Sequence, residues 1–131
     1  MSNNDPLQTL VSNDARTIDR RKVADFLRPF VLIDNVSKQL SFQSGFNQLK
    51  SNSDKIEVIL LACKARFLLF KMPDGLTQGE IIVLDIMPEG SVKSTLKRLF
   101  DSKKIKKDKE GRYFLPRYRV SELVDKHNNK N

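Results

Sequence analysis

Histidine and cysteine, two side-chain types that serve in catalysis, occur once each and far apart in the sequence. The single histidine, His127, lies among polar residues, and the single cysteine, Cys63, lies within an apolar run. A reactive cysteine needs a base or a positive charge that lowers its pKa, so the apolar setting of Cys63 predicts a buried packing residue. We therefore predict that the chain is not an enzyme.

Metal and cofactor sites are also not expected. One cysteine rules out an internal disulfide and any multi-cysteine metal site. The glycines at 75, 79 and 90 match no phosphate-binding loop. The carboxylates near them, Asp74, Glu80, Asp85 and Glu89, stand beside turns and expected helix starts, where capping accounts for them.

Binding to a polyanion is the chemistry that the sequence favours. Between Ser91 and Arg119 lie eleven basic and three acidic residues, a local balance of +8 that equals the net charge of the 131-residue chain. The basic residues are Lys93, Lys97, Arg98, Lys103, Lys104, Lys106, Lys107, Lys109, Arg112, Arg117 and Arg119. Charge concentrated in one segment is the electrostatic footprint of a nucleic-acid-binding element.

Two predicted elements hold this charge. Apolar residues at helical spacing predict a helix over 91–102, capped by Ser91; they are Val92, Leu96, Leu99 and Phe100. Beyond it, alternation around Ile105, a polar turn that ends in Gly111, and an extended run predict a β-hairpin over 104–116. Tyr113 and Phe114 in this hairpin are expected mainly to pack it onto the core.

The elements before this segment are predicted to support it. Residues 54–71 should form a helix that Asp54 caps, and its apolar surface must be covered by the N-terminal region, a second protomer or both. The run 56–70 contains two basic residues and is too short for a membrane span. Thr77 and Glu80 form a capping-box pattern at the start of a second helix, which ends before the break at 88–90.

The ends of the chain are predicted to add smaller elements. A helix over 17–30 is expected to be capped by Thr17 and followed by two strands, 30–33 and 39–42, which a turn joins. A last short helix, 122–127, should begin after Ser121. The predicted organisation is a flexible start over 1–16, an extension over 17–53, a domain over 54–127 and a flexible tail over 128–131.

The segment GSVKSTLKRLFDSKKIKKDKEGRYFLP, residues 90–116, resembles the recognition helix and wing of archaeal and bacterial winged-helix regulators. The resemblance extends over 54–127 and implies an α+β, mainly α fold: a winged helix-turn-helix with an N-terminal helix and β-hairpin extension. It implies binding to double-stranded DNA by a transcriptional regulator or chromosome-associated factor. The recognition helix would enter the major groove, and the wing would lie on the backbone.

The DNA-binding residues that the resemblance and the charge pattern imply fall into three sets. In the helix they are Ser91, Lys93, Ser94, Thr95, Lys97 and Arg98. In the wing they are Lys104, Lys106, Lys107, Lys109 and Arg112, and flanking phosphate contacts are expected from Arg117 and Arg119. Because lysines and hydroxyls outnumber arginine, asparagine and glutamine on the helix, we expect modest sequence discrimination and a large non-specific component.

Two other functions remain open at this stage. One is a winged-helix interaction module that docks its basic face on a transcription, replication or segregation complex. The other is binding to RNA or single strands, in which Tyr113 would stack on bases. In the favoured case we expect a homodimer, because the wide apolar surface of the 54–71 helix needs cover, and we expect no membrane or small-molecule partner. Because the sequence begins without an apolar signal segment, we expect the protein in the cytoplasm, on the nucleoid.

Overall fold

A computed structural model describes residues 6–7 and 18–128, except for the side chains of 126–128. Over this range the chain is a mainly helical α+β protein with two small antiparallel sheets. In chain order its elements are α1 (Arg20–Leu27), β1 (Val31–Ile33), β2 (Leu40–Phe42), a 3-10 helix (Ser44–Gln48), α2 (Asn52–Phe70), β3 (Leu76–Thr77), α3 (Gln78–Val83), α4 (Glu89–Asp101), β4 (Lys106–Lys107), β5 (Arg112–Phe114) and α5 (Arg117–Asn128).

Helix α1 begins later and ends earlier than the sequence predicts. Its N-cap is Asp19, whose carboxylate accepts a hydrogen bond from the Lys22 backbone N–H at 3.1 Å. The predicted cap, Thr17, lies outside the described residues. The predicted apolar stripe is confirmed, because Val23, Phe26 and Leu27 are buried.

The predicted hairpin after α1 is confirmed. Strands β1 and β2 pair antiparallel with Leu32 opposite Ser41. One carboxylate oxygen of Asp34 accepts from the backbone N–H groups of Val36 and Ser37, at 3.0 and 2.7 Å. These bonds, led by the one from Ser37, hold the pKa of Asp34 below its ordinary value and organise the turn.

Helix α2 is the centre of the core. It is capped by Ser51, whose hydroxyl accepts from the Asp54 backbone N–H at 3.0 Å, so the predicted Asp54 cap is wrong by one turn. Every residue from 56 to 64 is buried. This helix packs against α1, β1, α4 and β5, so the N-terminal elements supply part of the cover that its apolar surface requires.

The α3–α4 pair begins with the predicted capping box. The Thr77 hydroxyl accepts from the Glu80 N–H at 3.1 Å, and the Glu80 carboxylate accepts from the Thr77 N–H at 2.8 Å. Helix α3 is shorter than predicted, because the chain turns at Asp85, where φ is +56°. Helix α4 begins at Glu89, with Pro88 at the N-cap position, so the predicted Ser91 cap is wrong.

A three-stranded sheet of order β3–β5–β4 includes the predicted hairpin. Strand β3 was not predicted; it pairs with β5, with Leu76 opposite Tyr113. Helix α5 begins at Arg117, directly after Pro116, so the predicted start after Ser121 is wrong. It packs on α1 and buries Val120 and Val124 in the same core as α2.

Candidate functional site

Helix α4 separates an apolar inner face from a polar outer face. Val92, Leu96 and Leu99 recur at helical spacing and are at most 2% exposed, which fixes the rotation of the helix. Lys93 and Lys97 therefore face solvent, with side chains 53% and 78% exposed. The serine hydroxyl at 94 lies on this outer face too, and donates to the Ser91 carbonyl at 3.3 Å.

Both outward lysines form ion pairs within the helix. Lys93 lies 3.0 Å from Glu89, and Lys97 lies 3.0 Å from Asp101. Exposed pairs of this kind contribute about 0.2–1 kcal/mol. A phosphate can therefore replace either carboxylate partner at small energetic cost, and both ammonium groups are available to an anionic ligand.

The end of α4 is shaped by a left-handed residue. Lys103 has φ of +64°, and the backbone N–H groups of Lys103 and Lys104 donate to the carbonyls of Phe100 and Leu99, both at 3.0 Å. This is the Schellman arrangement that terminates helices. The Tyr118 hydroxyl donates to the Lys103 carbonyl, which ties the turn after α4 to the first turn of α5.

The β4–β5 hairpin presents exposed lysines around an ordered turn. One oxygen of Asp108 accepts from the backbone N–H groups of Glu110 and Arg112, both at 2.9 Å, and Gly111 supplies a φ of +85°. Ile105 is 1% exposed and anchors the first strand to the core. The lysines of this hairpin point to solvent: Lys104, Lys106, Lys107 and Lys109.

An aromatic contact joins α4 to the hairpin. The rings of Phe100 and Tyr113 meet edge to face, with centroids 6.3 Å apart and planes at 85°. The Lys107 ammonium lies 5.2 Å from the centroid of the Tyr113 ring. The outward side of α4 and the hairpin are therefore neighbours, and their lysines lie on adjoining surfaces.

Two of the predicted DNA-binding residues do not lie on this surface. Thr95 is 1% exposed on the inner side of α4, so the prediction of an outward hydroxyl there is wrong. The Arg119 side chain is 13% exposed and is bound to Glu57, with Nε to Oε2 at 2.5 Å and Nη2 to Oε1 at 3.0 Å. It also donates to Glu122 at 3.0 Å, so its hydrogen bonds join α5 to α2.

The other predicted residues differ in exposure. Arg98 is exposed and donates to the Ser53 hydroxyl at 2.8 Å, next to the first turn of α2. Partial burial is found at three positions, which are Ser91, Arg112 and Arg117. The structure thus groups the lysines of α4 and the hairpin, and leaves Thr95 and Arg119 outside the group.

The positions of two side chains, Phe100 and Glu57, do not follow from the sequence patterns. Phe100 was predicted to belong to the core stripe of α4 but is 45% exposed, because three other apolar residues already fill the inner face. Glu57 was not singled out, yet it is 3% exposed and pairs with Arg119. Its position within an apolar helix was the one signal that a buried partner had to exist.

Cys63 and Asp74 have structural surroundings, whereas the side chain of His127 lies outside the described residues. Burial raises the pKa of the Cys63 thiol to about 11, which leaves it protonated at neutral pH. Asp74 forms an ion pair with the buried Lys64, and burial raises the pKa of that carboxyl. Among the described residues no group of three or more His, Cys, Asp or Glu side chains is placed to hold a metal ion.

None of the helices that the structure describes combines the length and the apolar character needed to cross a membrane. Comparison of the chain with protein-family models, with curated proteins and with solved structures finds no match.

Proposed function

We propose that residues 54–127 form a winged helix-turn-helix and that the chain is a small basic protein that binds double-stranded DNA. This proposal depends on one observation: the outer side of α4 adjoins the β4–β5 hairpin. The exposed lysines of α4, Lys93 and Lys97, therefore lie on a surface next to that of Lys107 in the hairpin. The element order supports it: α2, β3, α3, α4 and a two-stranded hairpin follow the winged-helix order. In that arrangement α3 braces α4, which enters the major groove.

The expected mode of binding follows from the side chains present. Lysines act mainly as point charges toward phosphates, whereas arginine forms the strong bidentate contact with guanine. Arg98 is the one arginine of α4, and it lies at the flank beside α2. The protein would therefore hold DNA of many sequences, as a transcriptional regulator of modest specificity or as a chromosome-associated factor.

Salt dependence tests the proposal. If the exposed cations neutralise about five phosphates, the logarithm of the affinity for a random-sequence duplex falls with the logarithm of salt concentration at a slope of about −4 to −5. Fluorescence anisotropy across a salt series measures this slope. A slope near zero would contradict the proposal, and absence of binding at low salt would favour the protein-docking alternative.

A pair of variants locates the contact surface. The test variant replaces four lysines of α4 and the hairpin by glutamine: Lys93, Lys97, Lys107 and Lys109. The control variant replaces by glutamine four exposed basic residues outside α4 and the hairpin: Arg20, Arg21, Arg28 and Lys50. Both variants lose four charges, so they differ in position and not in net charge. We expect binding to be lost in the first variant and kept in the second; equal losses in both would contradict the assignment of α4 and the hairpin as the contact surface.

The predicted homodimer stays a prediction. The described residues include an apolar groove of about 430 Å³ between α1, β1 and the end of α2. Leu32 and Leu69 line it and are 48% and 58% exposed. Light scattering at micromolar concentration would test the homodimer prediction, and the mass of a monomer would contradict it.

A further inference from the structure

Phe100 is an exposed aromatic residue beside the exposed lysines of α4. It lies in the last turn of α4, and 45% of its surface is open to solvent. Lys97 and Lys93 lie three and seven positions before it, so both share its side of the helix. A phenyl ring donates no hydrogen bond to a phosphate, but its face can stack on a nucleic-acid base.

The ring of Phe100 packs against one other aromatic ring, that of Tyr113. Tyr113 meets it edge to face, and Tyr113 is itself under the Lys107 ammonium at 5.2 Å. A third aromatic residue, Tyr118, is 38% exposed beside Lys106, whose ammonium lies 5.9 Å from the ring. Aromatic rings interleaved with cations are typical of surfaces that bind unpaired nucleotides, because bases stack on the rings while the cations hold the backbone.

We propose that Phe100, supported by Tyr113, is a stacking platform for one unpaired base. The bases of an intact duplex lie inside the helical stack, so the exposed ring can accept a base only where pairing ends. The protein would therefore prefer a duplex that continues into a single-stranded extension over a blunt duplex. This inference rests on the proposed function, since α4 and the hairpin must hold the adjoining duplex.

The test compares two ligands that differ only in their bases. Each is the same duplex with an extension of equal length at the 3′ or the 5′ end; one extension consists of thymidines and the other of abasic sites. Both extensions have the same number of phosphates, so the electrostatic contribution is constant. A stacked base is expected to make the thymidine ligand bind about 5- to 100-fold more tightly.

Variants of Phe100 separate stacking from folding. Because this side chain is half exposed, Phe100→Leu should fold normally and bind a blunt duplex like the wild type, but lose the preference for thymidine over abasic extensions. Phe100→Tyr retains an aromatic face and should keep that preference. Thermal unfolding of each variant checks that the fold is intact.

Fluorescence supplies a second measure that does not depend on affinity. The chain contains no tryptophan, so Phe100→Trp places a single indole on the platform. Saturation with the thymidine ligand should quench its emission, and saturation with the abasic ligand should leave it unchanged.

Each outcome has a distinct meaning. Equal affinity for thymidine and abasic extensions, with salt-dependent binding to blunt duplex retained, would overturn the stacking platform and leave the proposed function standing. No binding to any of these DNA ligands at low salt would overturn both. A preference that survives Phe100→Leu would likewise overturn the assignment to this ring.

Discussion

Replacing Arg119 by methionine separates a structural role from a DNA-binding role. Methionine keeps much of the side-chain length and removes the charge. The substitution deletes the two hydrogen bonds to Glu57, at 2.5 and 3.0 Å, and the one to Glu122, at 3.0 Å. The Glu57 side chain is 4% exposed in the wild type, so the substitution leaves a buried carboxylate without its cation.

The expected cost follows from that burial. Removing one partner of a buried ion pair costs about 3–5 kcal/mol, because the remaining charge stays desolvated. The Arg119 side chain is 13% exposed, so water can partly replace it. We therefore expect the free energy of unfolding to fall by about 3 kcal/mol. For a chain of this size that corresponds to a fall in Tm of roughly 10 °C.

Urea unfolding followed by circular dichroism measures the free energy of unfolding of Arg119→Met and of the wild type at neutral pH. A Glu57→Met/Arg119→Met variant provides the control. Since it removes both charges together, it should recover to within about 1 kcal/mol of the wild type. Affinity for a random duplex, measured well below the Tm of Arg119→Met, should be unchanged by that substitution.

The opposite pattern would refute this reasoning. If Arg119→Met leaves the free energy of unfolding unchanged and weakens DNA binding, Arg119 contacts phosphate in solution and its pairing with Glu57 contributes little. If the double variant is as unstable as Arg119→Met, the loss comes from packing rather than from the unpaired Glu57.

Two further substitutions test the fold at single positions. Gly75→Ala should lower the free energy of unfolding by at least about 2 kcal/mol in a denaturant titration, because φ is +99° and a Cβ would lie 2.0 Å from the Tyr113 carbonyl oxygen. Gly79→Ala is the control: its Cβ would meet nothing within 4 Å, so the free energy of unfolding should stay the same or rise by up to about 1 kcal/mol. Cys63, whose pKa is raised to about 11, should react with a thiol reagent on the order of 100-fold more slowly at pH 8 in the folded protein than in the unfolded one, and equal rates would contradict its burial.

The helices were predictable wherever apolar spacing or a capping pattern was strong. The Thr77–Glu80 box and the stripe of α4 both gave the right element, since these signals depend on residues within one or two turns. Exact helix starts were not predictable from capping residues alone. Ser51 caps α2 in place of Asp54, and α4 begins after Pro88 without a side-chain cap.

Features that depend on residues distant in the chain have no local sequence pattern. Strand β3 is two residues long and exists because β5 lies beside it. The pairing of Glu57 with Arg119 spans 62 positions and removes a predicted phosphate contact from the surface. Local charge identified the basic region, whereas its division into exposed and paired residues required the tertiary packing.

The order of the three-stranded sheet places two hairpin lysines at an open sheet edge, which bears on self-association. Strand β4 is an edge strand, and its two residues, Lys106 and Lys107, are exposed. Charged side chains on an open edge keep it from pairing with the edge of another molecule. Removing these charges would therefore weaken the barrier to aggregation, and this role of Lys106 and Lys107 does not depend on whether the protein binds a nucleic acid.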